Sequence, residues 1–325
     1  MKNKTNKKKS CVLLSKTLKK YIHSLFENIK REIPEKIDLI LDGGAFNGGY
    51  MLGSLYYLKE MEKKSLLKIE RISSCSIGSI LGFLYLTDSL VYGENAYQEL
   101  MTHVRNHQNL SCASNLIQKL VSLVLKKKFG GNKKMLLDTL KERFYVSFFD
   151  IQQKKQIQQT SYESIEELVL LLTRTAYLPF VIDGNIMDQD GCMDGFYPYI
   201  FKTREKKILF IRLMTWKKMW NSFQLKQERN VHSRVWTGID DINRFFMNGG
   251  KYPTNMCSYV NDWSLTQHGY EHLKELLWTT IISLIIVCQY LEKYTPGIIK
   301  NNILFIKSCH IMKSFYNEVV VSCMW

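Results

Sequence analysis

The sequence has few residues that break or cross-link a chain, and it has no long apolar segment. Only 5 of its 325 residues are proline, and its 8 cysteines are scattered without a C-x-x-C pair. Scattered cysteines without a secretory signal indicate reduced thiols in an intracellular protein rather than a disulfide framework. Leu276 to Leu291, one of the longest uncharged runs, is shorter than the roughly 20 residues of a membrane-spanning helix, so it predicts a buried core helix.

Positive charge is what the chain has in excess. The formal net charge is +15 at pH 7, and the composition of 46% hydrophobic and 23% charged residues is that of a globular protein. Such a charge predicts an anionic partner, which could be a phospholipid surface, a nucleic acid or an acidic protein. No aromatic-basic motif or zinc knuckle supports a nucleic-acid binder, so we expect no nucleic acid and favour an anionic membrane surface.

The first 35 residues form a basic leader and an amphipathic segment. Residues 1–10, MKNKTNKKKS, are rich in lysine, and residues 10–31 predict a helix with one apolar stripe. Two interpretations of this helix remain open. It could pack on the core with its lysines in solvent, or it could lie on an anionic membrane and bind it reversibly.

A strand, a glycine-rich turn and a helix follow, and the pattern then repeats. Ile37 to Leu41 is a short apolar strand that leads into Asp42-Gly43-Gly44-Ala45-Phe46-Asn47-Gly48-Gly49, and a helix is predicted from Tyr50 to Met61. A glycine cluster in this position lets backbone amides converge on an anion, but the spacing is neither that of a P-loop nor that of a dinucleotide-binding turn.

The second strand begins at Ile69 and ends in a serine turn followed by a helix that extends to Leu86. The turn has the sequence Ser74-Cys75-Ser76-Ile77-Gly78. It differs from the G-x-S-x-G nucleophile elbow at one residue, the first, and Ser76 is at the nucleophile position. The alternative is a helix start capped by a serine. Cys75 is a rival nucleophile, but as a neighbour of Ser76 it should point away from the site.

The remaining two thirds of the chain gives weaker signals. Residues 88–165 look helical and basic, with predicted helices over 135–144 and 161–173. Two short strands, 180–183 and 191–194, are predicted around an Asp183-Gly184 turn, and a third follows over 208–214. Residues 217–258 have weak periodicity and are interpreted as an irregular insertion. The pattern is helical from Trp263 onward.

One further motif points to a different chemistry. His268-Gly269-Tyr270-Glu271-His272 matches H-x-x-E-H, which on a helix can place two histidines on zinc with a glutamate as base. Gly269 weakens such a helix, and few downstream glutamates could supply a third ligand. A surface helix start is therefore favoured over a zinc site.

Over roughly residues 36 to 200 the chain resembles the patatin-like phospholipase family. That family has a D-G-G-G-x-[RK]-G loop, a G-x-S-x-G elbow and a D-G-[GA] motif in this order. Here they correspond to the loop that begins at Asp42, the elbow around Ser76, and Asp194-Gly195-Phe196. The stretch from Thr175 to Phe180 also resembles the family's segment before its aspartate.

The resemblance implies a Ser-Asp dyad that needs no histidine, metal or cofactor. Ser76 would be the nucleophile and Asp194 its base, and the amides of Gly43, Gly44 and Ala45 would form the oxyanion hole. A carboxylate at its ordinary pKa is a weak base toward serine, so burial or a raised pKa would be needed. Asp-Gly also occurs at Asp183 and Asp190, where it is mainly a turn signal. Asp194 is chosen because its placement after a strand fits the family.

The sequence departs from the family at three positions. Ala45 replaces a glycine, which is tolerable if its φ is not positive. Asn47 replaces an arginine or lysine and removes a cation, and Ser74 replaces the first elbow glycine. None of these changes removes a member of the dyad.

The sequence therefore predicts a three-layer α/β/α fold with a mainly parallel central sheet and a helical C-terminal appendage. Its expected divisions are the leader (1–35), a catalytic core (36–215) and an insertion with a helical C-terminal region packed on the core (216–325). The predicted function is a serine acylhydrolase that cleaves acyl esters of membrane lipids, in the cytoplasm with reversible membrane association. The alternative is a catalytically weak or inactive membrane-binding protein that keeps the fold.

Overall fold

The structure is a computed structural model that describes residues 17–29, 33–107, 109–179, 181–203, 205–213 and 231–294. Within these ranges, no helix is both long enough and apolar enough to cross a bilayer. Residues 1–16 of the leader lie outside the described part, as do residues 214–230 and 295–325.

A mostly parallel sheet forms the centre of the molecule. The strands are β1 (Lys36–Leu41), β2 (Lys68–Cys75), β3 (Phe144–Asp150), β4 (Lys155–Gln159), β5 (Cys192–Asp194), β6 (Lys207–Ile211) and β7 (Cys257–Tyr259). Their order is β4-β3-β2-β1-β6-β7, with β5 also paired to β3. The pairs among β3, β2, β1 and β6 are parallel, whereas β4, β5 and β7 join antiparallel.

Helices flank this sheet. They are α1 (residues 17–25), α2 (Gly48–Lys63), α3 (Ile77–Leu86), α4 (Val91–His107), α5 (Ala113–Lys128), α6 (Lys133–Leu140), α7 (Ile165–Thr175), α8 (His232–Met247) and α9 (Leu265–Tyr294). Successive residues of a strand point to opposite faces of the sheet. Leu39 and Leu41 accordingly join the main core, and Ile40 joins a second cluster with Phe210 and Trp263. The predicted α/β fold with a mainly parallel sheet is confirmed.

The register of β1 and β2 brings their two loops together. The strands are parallel neighbours, and Leu41 pairs with Ser74. Because parallel strands end at the same edge of a sheet, the glycine loop after β1 and the serine turn after β2 lie side by side. This edge positions the candidate site.

Helix α1 packs on the core. Leu18 and Ile22 are only 2% and 1% exposed. The hydroxyl of Tyr21 donates to Asp240 of α8 at 2.9 Å, and its ring meets Trp236 edge to face. The apolar stripe of the described part of this helix therefore belongs to the protein interior. For residues 17–25, this favours the interpretation that the helix packs on the core.

Three predictions of secondary structure are wrong where the structure describes the residues. The helical reading of residues 88–165 missed the hairpin of β3 and β4, whose aromatic run FYVSFF is buried against β2. Residues 181–183 form a turn instead of a strand. Residues 232–247, interpreted as irregular, form α8, whose buried apolar residues recur at helical spacing and face α2.

The apolar run from Leu276 is helical, and the apolar side chains that the structure describes within it are exposed. Leu276 and Leu277 are each 50% exposed, and Val287 is 51% exposed. The prediction of a core helix failed because a run that is apolar on all sides has no stripe to tell which face is buried. The first turns of α9 contact the sheet edge through Glu271 and Lys274.

Candidate active site

Ser76 occupies a strained turn between β2 and α3. Its φ of 51° and ψ of −133° form a conformation that residues with a side chain rarely adopt. The turn is tight because α3 begins directly against the end of β1. A Cβ on Gly78 would lie 2.7 Å from the carbonyl oxygens of both Leu41 and Asp42, so only glycine fits there. This is the geometry of a nucleophile elbow.

A hydrogen-bond network holds the elbow from behind. The Ser76 amide donates to Thr175 Oγ1 at 2.9 Å, and the Thr175 hydroxyl donates to the Ser147 carbonyl at 2.6 Å. Ser74, which replaces the first elbow glycine, donates to the Tyr145 carbonyl and accepts from Ser79 Oγ at 3.0 Å. The Ser74 side chain is thus accommodated as part of the network. Sequence reasoning identified Thr175 only through the family resemblance and gave it no role.

Asp194 lies at the end of β5 and is 1% exposed. Its Oδ1 accepts the Phe196 amide at 2.8 Å. Burial raises the pKa of Asp194 to about 7, the nearby Ser76 hydroxyl and the Phe196 amide act in the opposite direction, and Asp42 adds to the rise. The Ser76 hydroxyl is close enough to influence the carboxyl, yet Oδ2 has no aligned hydrogen-bond partner among the described residues. A carboxylate with this pKa can act as a base near neutral pH.

The glycine after Asp194 is required by packing. A Cβ on Gly195 would lie 2.3 Å from the Ser147 carbonyl oxygen of β3. The chain therefore needs glycine to bring the aspartate against the sheet. This contact gives a physical reason for the Asp-Gly pair at this position.

The other Asp-Gly aspartates have structural partners. Asp183 accepts the Tyr177 hydroxyl at 2.5 Å and the Asn185 amide at 2.9 Å in an exposed turn. Asp190 pairs with Arg174, which also binds Asp188 at 3.0 Å. Of the three aspartates, Asp194 is the one that the structure brings to Ser76.

The glycine loop runs beside the elbow. The position of a Cβ on Gly43 would be 3.2 Å from Ser76 Cβ. The Gly43 amide donates to the Cys75 thiol, whereas the amides of Gly44 and Ala45 donate to no described residue. Unpartnered amides next to a serine hydroxyl are the donors that an oxyanion requires.

Two of the sequence departures have visible consequences in this loop. Ala45 was expected to replace glycine without strain only if its φ were not positive. Its φ is 43°, and this left-handed conformation destabilises the loop by roughly 1–2 kcal/mol. Asn47 is buried and donates from Nδ2 to the Leu213 carbonyl at 3.3 Å. Its Oδ1 accepts from Arg234 of α8 at 2.9 Å. A cation from another element therefore lies beside the loop.

Cys75 is buried and lies away from the cavity. Burial, with smaller contributions from Asp42 and Asp194, raises the pKa of its thiol well above the usual range. A protonated, inaccessible thiol is a poor nucleophile.

An apolar cavity opens at Ser76. It extends between α3, α4 and α5. Its lining includes Ser76, Ile77, Ile80, Leu100, Ile117 and Leu178. Sequence reasoning did not find this cavity, because its walls come from helices whose apolar faces looked like ordinary core.

The H-x-x-E-H residues do not form a metal site. Glu271 is paired with Arg212 at 2.6 Å, and the His272 side chain is exposed and lies near Glu275. In the part of the chain that the structure describes, no cluster of three or more His, Cys, Asp or Glu side chains could hold a metal ion.

A mostly parallel sheet with helices on its sides, and a serine on a strained turn after a central strand, is the layout of a serine-hydrolase fold. The comparison with protein families specifies it further. The family model for patatin-like phospholipases matches residues 39–234, which include the glycine loop, the elbow and Asp194, and the chain belongs to this family. No curated relative matches the chain. Membership suggests a hydrolase that acts on acyl esters of lipids.

Proposed function

We propose that this protein is a lipid acyl hydrolase that uses Ser76 as its nucleophile and Asp194 as its base. The observation that carries the proposal is the position of the Ser76 elbow between a buried carboxyl of raised pKa and an apolar cavity. The carboxyl supplies the base, and the cavity supplies space for an acyl chain. The substrate class is phospholipid or another acyl-ester lipid.

The chemistry follows from these positions. Ser76 Oγ attacks the ester carbonyl carbon while Asp194 Oδ2 takes the hydroxyl proton, and the amides of the Gly43–Ala45 loop face the developing oxyanion. Because the Gly43 amide is held by Cys75, those of Gly44 and Ala45 are the principal donors. Asp194 then returns the proton to the leaving alcohol. In the second half, Asp194 deprotonates a water that cleaves the acyl-serine ester, releasing the fatty acid.

The cavity favours a long acyl chain over a small ester. Its lining is almost wholly aliphatic, so a chain that leaves water to enter it gains roughly 0.8 kcal/mol for each buried methylene. Because Ser76 lines the cavity, an ester carbonyl at Ser76 would have its acyl chain within reach of this lining. We expect the acyl half of the lipid to be bound there, with the remainder directed to solvent.

A fluorophosphonate probe tests the nucleophile directly, because an activated serine oxygen displaces its fluoride and forms a stable phosphonate ester. Wild type should be labelled, Ser76→Ala should not be, and Cys75→Ala should still be labelled. Labelling that persists in folded Ser76→Ala would contradict the assignment.

A second candidate is a family member that has lost much of its activity. It is favoured by Ala45 in a left-handed conformation, which strains the loop that would hold the oxyanion. Folded wild type that resists the probe would support this reading.

The proposed location is the cytoplasm, with reversible binding to anionic membranes. The support is the net charge of +15 and the lysine-rich residues 1–10. A lipid hydrolase must reach an interface, and electrostatic attraction can bring it there without an anchor.

A further inference from the structure

A buried ion pair connects the C-terminal helix to the glycine loop. Asp42, the first residue of the loop, has a fully buried side chain, and Lys274 of α9 is 11% exposed. The Lys274 ammonium lies 3.2 Å from Asp42 Oδ1 and 3.1 Å from Oδ2. The Leu213 amide donates to Oδ2 at 3.1 Å. The carboxylate thus receives a cation from α9 and an amide from the segment after β6.

The pair is continued by two more charges. Lys274 lies 4.0 Å from Glu271, and Glu271 lies 2.6 Å from Arg212 Nη2. Burial alone would lower the pKa of Lys274, but Asp42 and Glu271 raise it overall, so the ammonium stays charged. Four charges of alternating sign therefore connect the loop, α9 and Arg212, which directly follows β6. Removing one partner of such a buried set leaves an uncompensated charge.

Asp42 also acts on the catalytic carboxyl. A Cβ on Gly43, the residue after Asp42, would lie 3.2 Å from Ser76 Cβ and 3.8 Å from the Phe196 carbonyl oxygen, so the start of the loop lies beside the dyad. The groups that act on Asp194 are the Ser76 hydroxyl, the Phe196 amide and the Asp42 carboxylate. Lys274 is faced by Asp42, Glu271 and the Cys75 thiol. A second carboxylate near a base disfavours the charged form of that base, and a cation bound to the second carboxylate offsets this effect.

The loop supplies no cation of its own. Residues 42–49 contain no lysine or arginine. Two side chains from later in the chain deliver positive charge to it, Arg234 at Asn47 and Lys274 at Asp42. Lys274 lies beyond residue 234, where the family match ends.

We propose that Lys274 is a positioning residue of the active site, which holds the glycine loop through Asp42 and compensates the charge that Asp42 would otherwise impose on the catalytic base. The inference rests on the proposed function. It makes the C-terminal region, through α9, part of the working site rather than an appendage.

The test compares Lys274→Met with wild type in a pH profile. The substrate is a soluble short-chain nitrophenyl ester, so that membrane binding plays no part. In Lys274→Met the acid limb of kcat/KM should move upward by about one pH unit, with a loss of about tenfold at pH 6 that shrinks at pH 9. Lys119→Met is the matched control, because Lys119 forms an ion pair with Glu99 in which both side chains are mostly exposed. Its profile should equal that of wild type.

The double variant Asp42→Asn/Lys274→Met separates charge compensation from packing. The asparagine can still accept the Leu213 amide, and no uncompensated charge remains. Its acid limb should return to the wild-type position or below it. If Lys274→Met does not fold, a folded, active double variant supports the inference, and a double variant that stays unfolded or inactive overturns it.

Two other results would overturn it. One is an unchanged acid limb in folded Lys274→Met, and the other is a loss of activity that is the same at every pH and is not restored by Asp42→Asn. Both require an active wild type labelled at Ser76 by the fluorophosphonate probe. Failure of that labelling counts against the proposed function instead, so the two failures are distinguishable.

Discussion

Ser76 combines a positive φ with a side chain, and the surrounding residues are arranged to keep it there. A residue in such a conformation costs roughly 1–3 kcal/mol and persists only where its surroundings enforce it. Here the Thr175 hydroxyl accepts the Ser76 amide, and Gly78 lets α3 start against the end of β1. These contacts keep Ser76 in its strained conformation next to a buried carboxyl. They therefore fix the position of the Ser76 hydroxyl.

Asp194 is the residue on which the proposed mechanism depends most. Asp194→Asn should lower kcat by about 10³-fold or more, because an amide cannot accept the serine proton. Asp183→Asn is the matched control, and its activity should stay within about threefold of wild type, because Asp183 only closes an exposed turn. Ester hydrolysis by the two purified variants provides the measurement. If Asp183→Asn lost activity and Asp194→Asn kept it, the assignment of Asp194 as the base would be wrong.

The raised pKa of Asp194 gives this prediction a second readout. The base must be deprotonated, so wild-type kcat/KM should be half-maximal near pH 7 and fall about tenfold for each unit below it. A carboxyl with a folded-state pKa above its unfolded value destabilises the fold as pH rises from about 4 through 7. Asp194→Asn should therefore melt at a higher temperature than wild type at pH 8, and at a similar temperature near pH 4.

At the scale of elements, local signals predicted one half of the fold. The unit from β1 to α3 could be read from sequence because short apolar strands, glycine turns and helices alternate within about 50 residues. The β3–β4 hairpin and α8 were missed. Their identity depends on what they pack against, β2 in one case and α2 in the other. Tertiary packing of this kind overrides a single-sequence pattern.

The site was predictable to the same extent. Ser76, Asp194 and the glycine loop each carry a recognisable short motif, although the choice of Asp194 among three aspartates needed the family order. Lys274 and Arg234 carry none. They reach the loop from 232 and 187 residues away along the chain, and no local spacing encodes such a contact.

The cavity between α3, α4 and α5 predicts a dependence on acyl-chain length. Ile117→Trp places a larger ring in the cavity from α5, so hydrolysis of esters with long acyl chains should fall at least about tenfold. Butyrate esters, which need little of the cavity, should be hydrolysed within about threefold of the wild-type rate. Leu123→Trp is the control on the same helix, because Leu123 is partly exposed and does not line the cavity. A loss that is equal for short and long chains would contradict an acyl-binding role.

At the scale of the whole molecule, the packing of α1 changes how a membrane could be bound. Leu18 and Ile22 are buried in the core, so the apolar face of α1 is not available to a bilayer while the helix is docked. Binding through the leader would therefore depend on its lysines, among them those of residues 1–16 and the exposed Lys19 and Lys20 of α1. Helix α9 offers a separate route, because Leu273, Leu276 and Leu277 are exposed on it.

Vesicle flotation separates these routes. The test variant replaces the five lysines of residues 1–10, Lys2, Lys4, Lys7, Lys8 and Lys9, by glutamine, which leaves the docked α1 intact. Each lysine near an anionic bilayer contributes up to about 1 kcal/mol, and salt screens this attraction beyond roughly 8 Å. Wild-type binding should therefore increase with the anionic lipid fraction and decrease with added salt.

The quintuple variant should float with the vesicles much less than wild type and should still hydrolyse a soluble ester, because the dyad lies elsewhere. Leu276→Glu/Leu277→Glu is the matched variant on α9, and it should bind as wild type does if the leader is responsible. If binding to neutral vesicles did not depend on salt and were lost in the α9 variant, α9 would be the membrane-binding element instead of the leader. Equal binding by wild type and the quintuple variant would show that these five lysines do not bind the membrane, and would contradict the proposed role of residues 1–10.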